Sequence, residues 1–334
     1  MSHKDIIKKY GEGVLMDASF LAEEERMVIP ISPALNIPLR GGIHEGCVCT
    51  FSGKEGSGKS TTALQVASYA QKPEYGSRKV FYDDVEHRLK RSNLEGIHGL
   101  IWKDKEKFEI IHSTKETILH AADHLNIMLE LMKSYPKSVF IIDSTSALCG
   151  EDEAKEDVKS DFRNGSPKLL ANFCRHIAPI VQINKQIVIL TQHMIADTSG
   201  RSMGSGYHED GGAKIKHQSD VRMRIKYTEN WEVGSGENTH RVGKLLNWQI
   251  IKSPYGEFDK IQSYLRYGYG LDDITETINL ACDIGLIVKG GSWYTLGYLE
   301  TPVKLQGGEK VYEHMVANKI DYDKLYKLVM ESLK

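Results

Sequence analysis

Short apolar runs recur through the first two thirds of the chain, and each closes on polar residues. Residues 47–51, 79–83, 138–143 and 186–192 are of this kind. Rich in Val, Ile and Phe and too short for helices, they read as strands. Runs that are apolar at nearly every position belong to strands covered on both faces, not to a sheet with one wet side. Between the runs, residues 61–70, about 115–133 and about 167–184 carry apolar positions at helical spacing. Strands alternating with helices predict a mostly parallel sheet with helices on both faces, an α/β fold. Residues 221–227, 244–251 and 261–266 alternate or contain β-branched runs and add further strands, with residues 233–238 as an exposed connection.

The two ends of the chain have a different texture. Residues 5–10 and 16–26 have the pattern of short helical pieces joined by Gly11-Glu12-Gly13, with Asp17 as N-cap of the second. A piece this small holds no core of its own, so Phe20, beside Leu21, is expected to dock it either on its own chain or on another subunit. Pro30, Pro33 and Pro38 then punctuate an extended entry, and Leu39-Arg40-Gly41-Gly42-Ile43 turns into the first long strand. From residue 271 a helix runs to Ile284, stops at Gly285, and is followed by Trp293-Tyr294-Thr295-Leu296 and two more helical stretches. The expected organisation is an N-terminal helical oligomerisation element (1–30), a core (31–270) and a small C-terminal α+β domain (271–334).

The first long strand leads into Gly53-Lys54-Glu55-Gly56-Ser57-Gly58-Lys59-Ser60, which fits the pattern Gly-x-x-x-x-Gly-Lys-Ser. A strand, a glycine turn and a helix N-terminus together aim backbone N–H groups at one point, the geometry a polyphosphate needs. Lys59 is placed for the β- and γ-phosphates and Ser60 for a Mg²⁺ ion, while Gly53, Glu55, Gly56, Ser57, Gly58 and Thr61 complete the cradle. Ligands of such sheets gather at the carboxyl ends of the strands, where three more polar positions converge. Asp143 has the pattern of a carboxylate that holds Mg²⁺ through water; a helix cap is the other reading. Glu86 is the candidate general base for activating water, with Asp84 as its competitor. Gln192 is either a γ-phosphate contact that passes the presence of nucleotide to the glycine-rich stretch after it, or a plain polar strand end. His87 and His193 lie in the same region without the companions of a metal-ligand set.

Composition bounds the setting. The 43 basic and 45 acidic residues give a formal net charge of −2, so there is no global signature of nucleic-acid binding, and any such role rests on local charge. No apolar run reaches the ~18 residues of a membrane span. Met1-Ser2-His3-Lys4-Asp5 opens no signal-like segment, and a cytoplasmic protein with no membrane partner is expected. The five cysteines are irregularly spaced, which points to neither a disulfide framework nor a zinc cluster; Cys47 and Cys49 read as core.

Two polar stretches are candidates for contact with a polyanion. Residues 151–165 offer Lys155, Lys159 and Arg163, although the start Glu151-Asp152-Glu153 opposes DNA. Residues 193–212 lack apolar periodicity and carry glycine at positions 200, 204, 206, 211 and 212; here and just beyond lie Arg201, His208, Lys214 and Lys216. Their cations attract phosphates and the glycines let a loop order along a strand; a solvated loop is the alternative.

Taken together, these residues resemble the RecA-type homologous recombinases, with the nearer likeness to the phage UvsX branch. Asp84-Val85-Glu86-His87 matches the family's Asp-x-Glu-His, Asp143-Ser144 with Ala147-Leu148 its Asp-Ser stretch, and Gln192 its γ-phosphate-sensing glutamine. Gly211-Gly212-Ala213-Lys214 matches the end of the second DNA-binding loop. Tyr267-Gly268-Tyr269-Gly270-Leu271 is similar to the end of the family's core, Gly291-Ser292-Trp293-Tyr294 to its C-terminal domain, and Ala18-Ser19-Phe20 with Ile29-Pro30 to the UvsX entrance. The resemblance implies a RecA-type P-loop ATPase core in which Glu86 is the catalytic glutamate. It implies ATP and Mg²⁺ held between neighbours in a helical homo-oligomeric filament on single-stranded DNA. That filament would pair with homologous duplex DNA and exchange strands, with single-strand-binding or mediator proteins as further partners, in a host's cytoplasm if the chain is phage-encoded. Bacterial members carry a Lys-x-Lys pair that reaches ATP in the next subunit; Trp248 and Ile250 stand at the matching positions, and likeness to the phage branch gives that role to Lys252. A recombinase paralogue or loading factor with weak ATPase is the first alternative, and a hexameric helicase motor the second, although no primase-interaction domain is evident.

Overall fold

The computed structural model describes residues 2–19, 24–149, 166–196, 207–210, 213–234, 236 and 239–333. Two short strands, β1 (Val28–Ile29) and β2 (Ile43–His44), pair in front of the main sheet. The sheet contains β3 (Cys47–Gly53), β4 (Val80–Asp84), β5 (Phe108–Ile111), β6 (Val139–Asp143) and β7 (Ile187–Ala196). It continues with β8 (Tyr207–Glu209), β9 (Val221–Val233), β10 (His240–Lys252), β11 (Phe258–Arg266) and β12 (Gly270–Leu271). Its order is β12-β11-β10-β9-β3-β7-β6-β4-β5, with β8 paired to β7. All neighbours from β9 to β5 run parallel, and β10, β11 and β12 add an antiparallel flank. The expected mostly parallel α/β sheet is present.

Period-2 alternation divides the core into two layers. Cys47, Cys49 and Phe51 of β3, Tyr82 of β4, Val139 and Ile141 of β6, and Ile187 and Ile189 of β7 face one layer, shared with helix Lys59–Ala70. Val48, Phe81, Phe140, Ile142, Val188 and Leu190 face the other, shared with helices Ala121–Ser134 and Ser166–Ile183. Both layers are buried, which is why these strands show unbroken apolar runs.

Several boundaries differ from expectation. β9 and β10 extend beyond the apolar signal because backbone pairing carries polar stretches such as Thr228-Glu229-Asn230 opposite Leu246, Leu245 and Lys244. Helix Ala121–Ser134 begins later than residue 115, after Thr114 and Thr117 close a turn (Thr117 N–H to Thr114 Oγ1, 3.2 Å) and Asp123 accepts the His120 N–H at 2.9 Å. Residues 24–27 are not helical. Arg26 there pairs with Glu24 at 3.0 Å and with Gln182 at 2.9 Å, drawing the segment along the body. The expected docking residue Phe20 lies outside the described residues. The first helix, His3–Tyr10, starts on a capping box of Ser2 and Asp5, and none of its residues is buried.

The C-terminal elements are helix Asp273–Asp283, the antiparallel β13 (Ile287–Gly290), β14 (Trp293–Leu296) and β15 (Val303–Gln306), and helices Gly308–Ala317 and Lys319–Ser332. They enclose a core of their own around Ile278, Leu296, Val311 and Leu325. A buried carboxylate ties this unit to the segment ahead of β2: Glu276 accepts from Ser32 Oγ at 2.7 Å and from the Ala34 N–H at 2.6 Å. Its burial holds its pKa up at about 8.

Candidate active site

A cleft of about 470 Å³ opens at the carboxyl edge of the sheet, between residues 55–61, the ends of β4, β6 and β7, and the turn after β11. β3 is buried along its whole length and delivers the chain to this point. A Cβ on Gly53 would lie 2.7 Å from Ser57 Oγ. At Gly58, with φ +104°, a Cβ would lie 2.9 Å from Leu265 Cδ1 and 3.1 Å from Leu246 Cδ1, so the loop leaves no room for a side chain there. Gly58 is also the N-cap of helix Lys59–Ala70 and offers no side chain to the first-turn N–H groups. That leaves the positive end of the helix dipole for an external anion.

Two further features fit a polyphosphate. Ser57 Oγ is buried without a partner. Lys59 is 5 % exposed, and its Nζ donates to the carbonyls of Gly53 (3.1 Å) and Lys54 (3.0 Å), which pin the ammonium over the loop. Desolvation lowers its pKa, against the pull of Asp143, Glu86 and Glu55. Because the loop's shape depends on the missing side chain, Gly58→Ala is expected to lower stability by about 1–3 kcal/mol. Thermal melting should report the change.

Strand parity decides which polar groups meet the cleft. Asp143 lies on the same face as Val139 and Ile141; its carboxylate accepts from the Tyr82 hydroxyl and from Thr191 Oγ1, and caps no helix. Asp84 uses both oxygens on the backbone, accepting the N–H groups of Arg88 and Leu89 at 3.1 Å each, so it shapes the turn. Glu86 projects instead among side chains. Its Oε1 accepts from Ser144 Oγ at 2.6 Å and lies 2.6 Å from His193 Nε2. The His193 contact, helped by Ser144 and Arg88 and opposed by desolvation, holds the Glu86 carboxyl down at about 2.

Gln192 is not among the cleft residues. It follows the parity of Val188 and Leu190 and so leaves the sheet on the opposite face, where its Nε2 donates to the Asp210 carbonyl at 2.6 Å and its Oε1 is buried without a partner. Its neighbour His193 faces the cleft. Beneath the same loop end, the buried Glu209 accepts from Ser52 Oγ (3.0 Å) and Arg224 (2.9 Å) and pairs with Arg222.

Of the other expected contacts, Lys252 lies outside the cleft, with its Nζ donating to the carbonyls of His217 (3.1 Å), in the last turn of helix Ala213–Gln218, and Ser219 (2.6 Å), just after it. Trp248 and Ile250 are fully buried in the main core. Lys216 sits 3.8 Å from Glu209. His208 belongs to β8 and Lys214 to helix Ala213–Gln218, while Lys155, Lys159, Arg163, Arg201 and the pair Gly211-Gly212 lie outside the described residues. Among the described residues there is no cluster of metal-ligating side chains, and no helix is long and apolar enough to cross a membrane.

The cleft also holds residues that motif reading passed over. Lys244 of β10 donates to the Gly56 carbonyl at 2.7 Å, and Arg88 meets Glu55 at 2.5 Å. Counting parity along β7 could have found His193. Nothing local marks Lys244, whose place depends on the register of β10 against β9 and β11.

Comparison with known proteins is consistent over most of the chain. Residues 1–272 match the family model described as RecA N-terminal domain. Protein RecA of Thermotoga neapolitana is 29% identical over 329 residues, covering 94% of this chain and 87% of that protein. Protein RecA of Aquifex aeolicus is 28% identical, covering 88% of this chain and 81% of its own length. The chromosomal Protein RecA of Lactococcus lactis is 25% identical, covering 96% and 79%.

Proposed function

Because the chain belongs to the RecA family, we propose that it is an ATP-dependent homologous recombinase that assembles on single-stranded DNA and catalyses pairing and strand exchange with homologous duplex. The observation that carries this reading is the end of β7. There, His193 contacts the carboxylate that would activate water, while the adjacent Gln192 holds the carbonyl of Asp210, at the far end of the glycine-rich stretch. A change at the nucleotide is thereby conveyed to the segment expected to hold DNA, through adjacent residues on opposite faces of one strand.

In this reading Lys59 and the first-turn N–H groups bind the phosphates, and Glu86 orients and deprotonates the attacking water. Ser60 and Asp143 would hold Mg²⁺, which neutralises phosphate charge. Lys155, Lys159, Arg163, Arg201, His208, Lys214 and Lys216 remain the candidate DNA contacts, through backbone phosphates and not bases. The surface-lying helix His3–Tyr10 supports a docking role for the N-terminal element in a filament. Burial of Trp248 and Ile250 supports the phage-type arrangement, with the exposed Lys252 as the residue offered to a neighbour.

The same two apolar positions favour one other reading, a paralogue or loading factor that hydrolyses ATP slowly. Steady-state ATP hydrolysis with and without single-stranded DNA separates the two. Strong stimulation by DNA is expected; slow turnover indifferent to DNA would move the assignment to the paralogue.

A further inference from the structure

Arg88 occupies the mouth of the cleft in a way that the roles above do not use. Its backbone is fixed, since its own N–H and that of Leu89 are held by Asp84, and Leu89 packs against the main core. Its side chain is 67% exposed and spans from the phosphate loop to the candidate base, with one terminal nitrogen 2.5 Å from Glu55 Oε1 and 3.7 Å from Glu86 Oε2. Of the other three long cations of the cleft, Lys59 is committed to the carbonyls of Gly53 and Lys54, Lys244 to that of Gly56, and Arg266 to the buried carboxylate of Asp272. Arg88 is paired with carboxylates alone, and the nearer one, Glu55, is itself 74% exposed.

An ion pair this wet is worth ~0–1 kcal/mol, so little holds the guanidinium to Glu55. A phosphate accepts the planar fork through two charge-assisted hydrogen bonds and carries more charge than one carboxylate. The place also discriminates along the nucleotide. A cation between the phosphate loop and Glu86 stands beside the phosphoryl group that water attacks, not beside the base or ribose.

Resting on the reading of the cleft as an ATP site, we propose that Arg88 is a phosphate-binding residue that exchanges Glu55 for the terminal phosphate of ATP, within its own subunit. It thereby distinguishes ATP from ADP and adds positive charge where the transferred group departs. The exchange requires only a side-chain rotation about a fixed backbone.

Calorimetric titration of ATPγS and ADP into wild type, Arg88→Ala and Arg88→Lys tests this. In Arg88→Ala, ATPγS affinity should fall about tenfold or more, the scale of one charge-assisted hydrogen bond, while ADP affinity is unchanged. Arg88→Lys should recover part of the loss. Equal effects on both nucleotides, or none on either, would overturn the role of Arg88 while leaving the cleft an ATP site. A wild type that binds neither nucleotide would overturn both. Thermal melting of the variants should match wild type, because the side chain is mostly in solvent.

Discussion

Lys59→Ala is expected to lower ATP turnover by about 10²–10³-fold, the cost of removing one preorganised donor from developing charge. ATP affinity should fall with it. The ammonium is already desolvated and already aimed by two carbonyls, so binding a phosphate costs it little further ordering. Alanine removes the charge and the ammonium's two donations to the loop carbonyls, while the Lys54 carbonyl keeps the Ser57 N–H at 3.2 Å. Equilibrium titration with a fluorescent ATP analogue, alongside steady-state hydrolysis, checks both parts; unchanged affinity and unchanged turnover would remove Lys59 from the site.

Glu86→Gln should have the opposite signature: ATP affinity near wild type, with turnover lower by about 10²–10⁴-fold, the range for loss of a general base. The carboxylate held at about 2 is a weak base while His193 and Ser144 bond to it. In the proposed mechanism its basicity rises as those contacts loosen, which would link the hydrolytic step to the strand end that carries His193. Asp84→Asn should behave differently, weakening the turn at Arg88 and Leu89 and lowering the melting temperature. Equal turnover in Glu86→Gln and wild type would return the assignment to Asp84.

The phosphate loop and the strands feeding it were legible because their signals are local: a fixed glycine spacing, and apolar runs that need no distant information. The placement of Asp143 and Glu86 at the cleft was legible because each follows such a run. The face that Gln192 takes was less legible, since it follows from strand parity, which sets Ile187, Ile189 and His193 on one side of β7 and Val188, Leu190 and Gln192 on the other. Lys244 and Arg88 were not legible at all. The first depends on the register of an antiparallel flank, the second on a turn held by Asp84, and both are products of tertiary pairing. The polar half of the β9–β10 ribbon was invisible for a related reason, since backbone pairing extends it without apolar side chains.

The position of β3 has a kinetic consequence. Cys47 pairs with Ile187 on one side and Cys49 with Val221 on the other, so both neighbours of this central strand are made long after it. Closing such distant pairs costs chain entropy before any contact repays it, and chains rich in them fold slowly. During synthesis the phosphate-loop sequence is therefore among the early parts to emerge and among the late parts to take shape. The strand that delivers the phosphate loop is thus flanked on both sides only once residues 187–225 are available to pair with it.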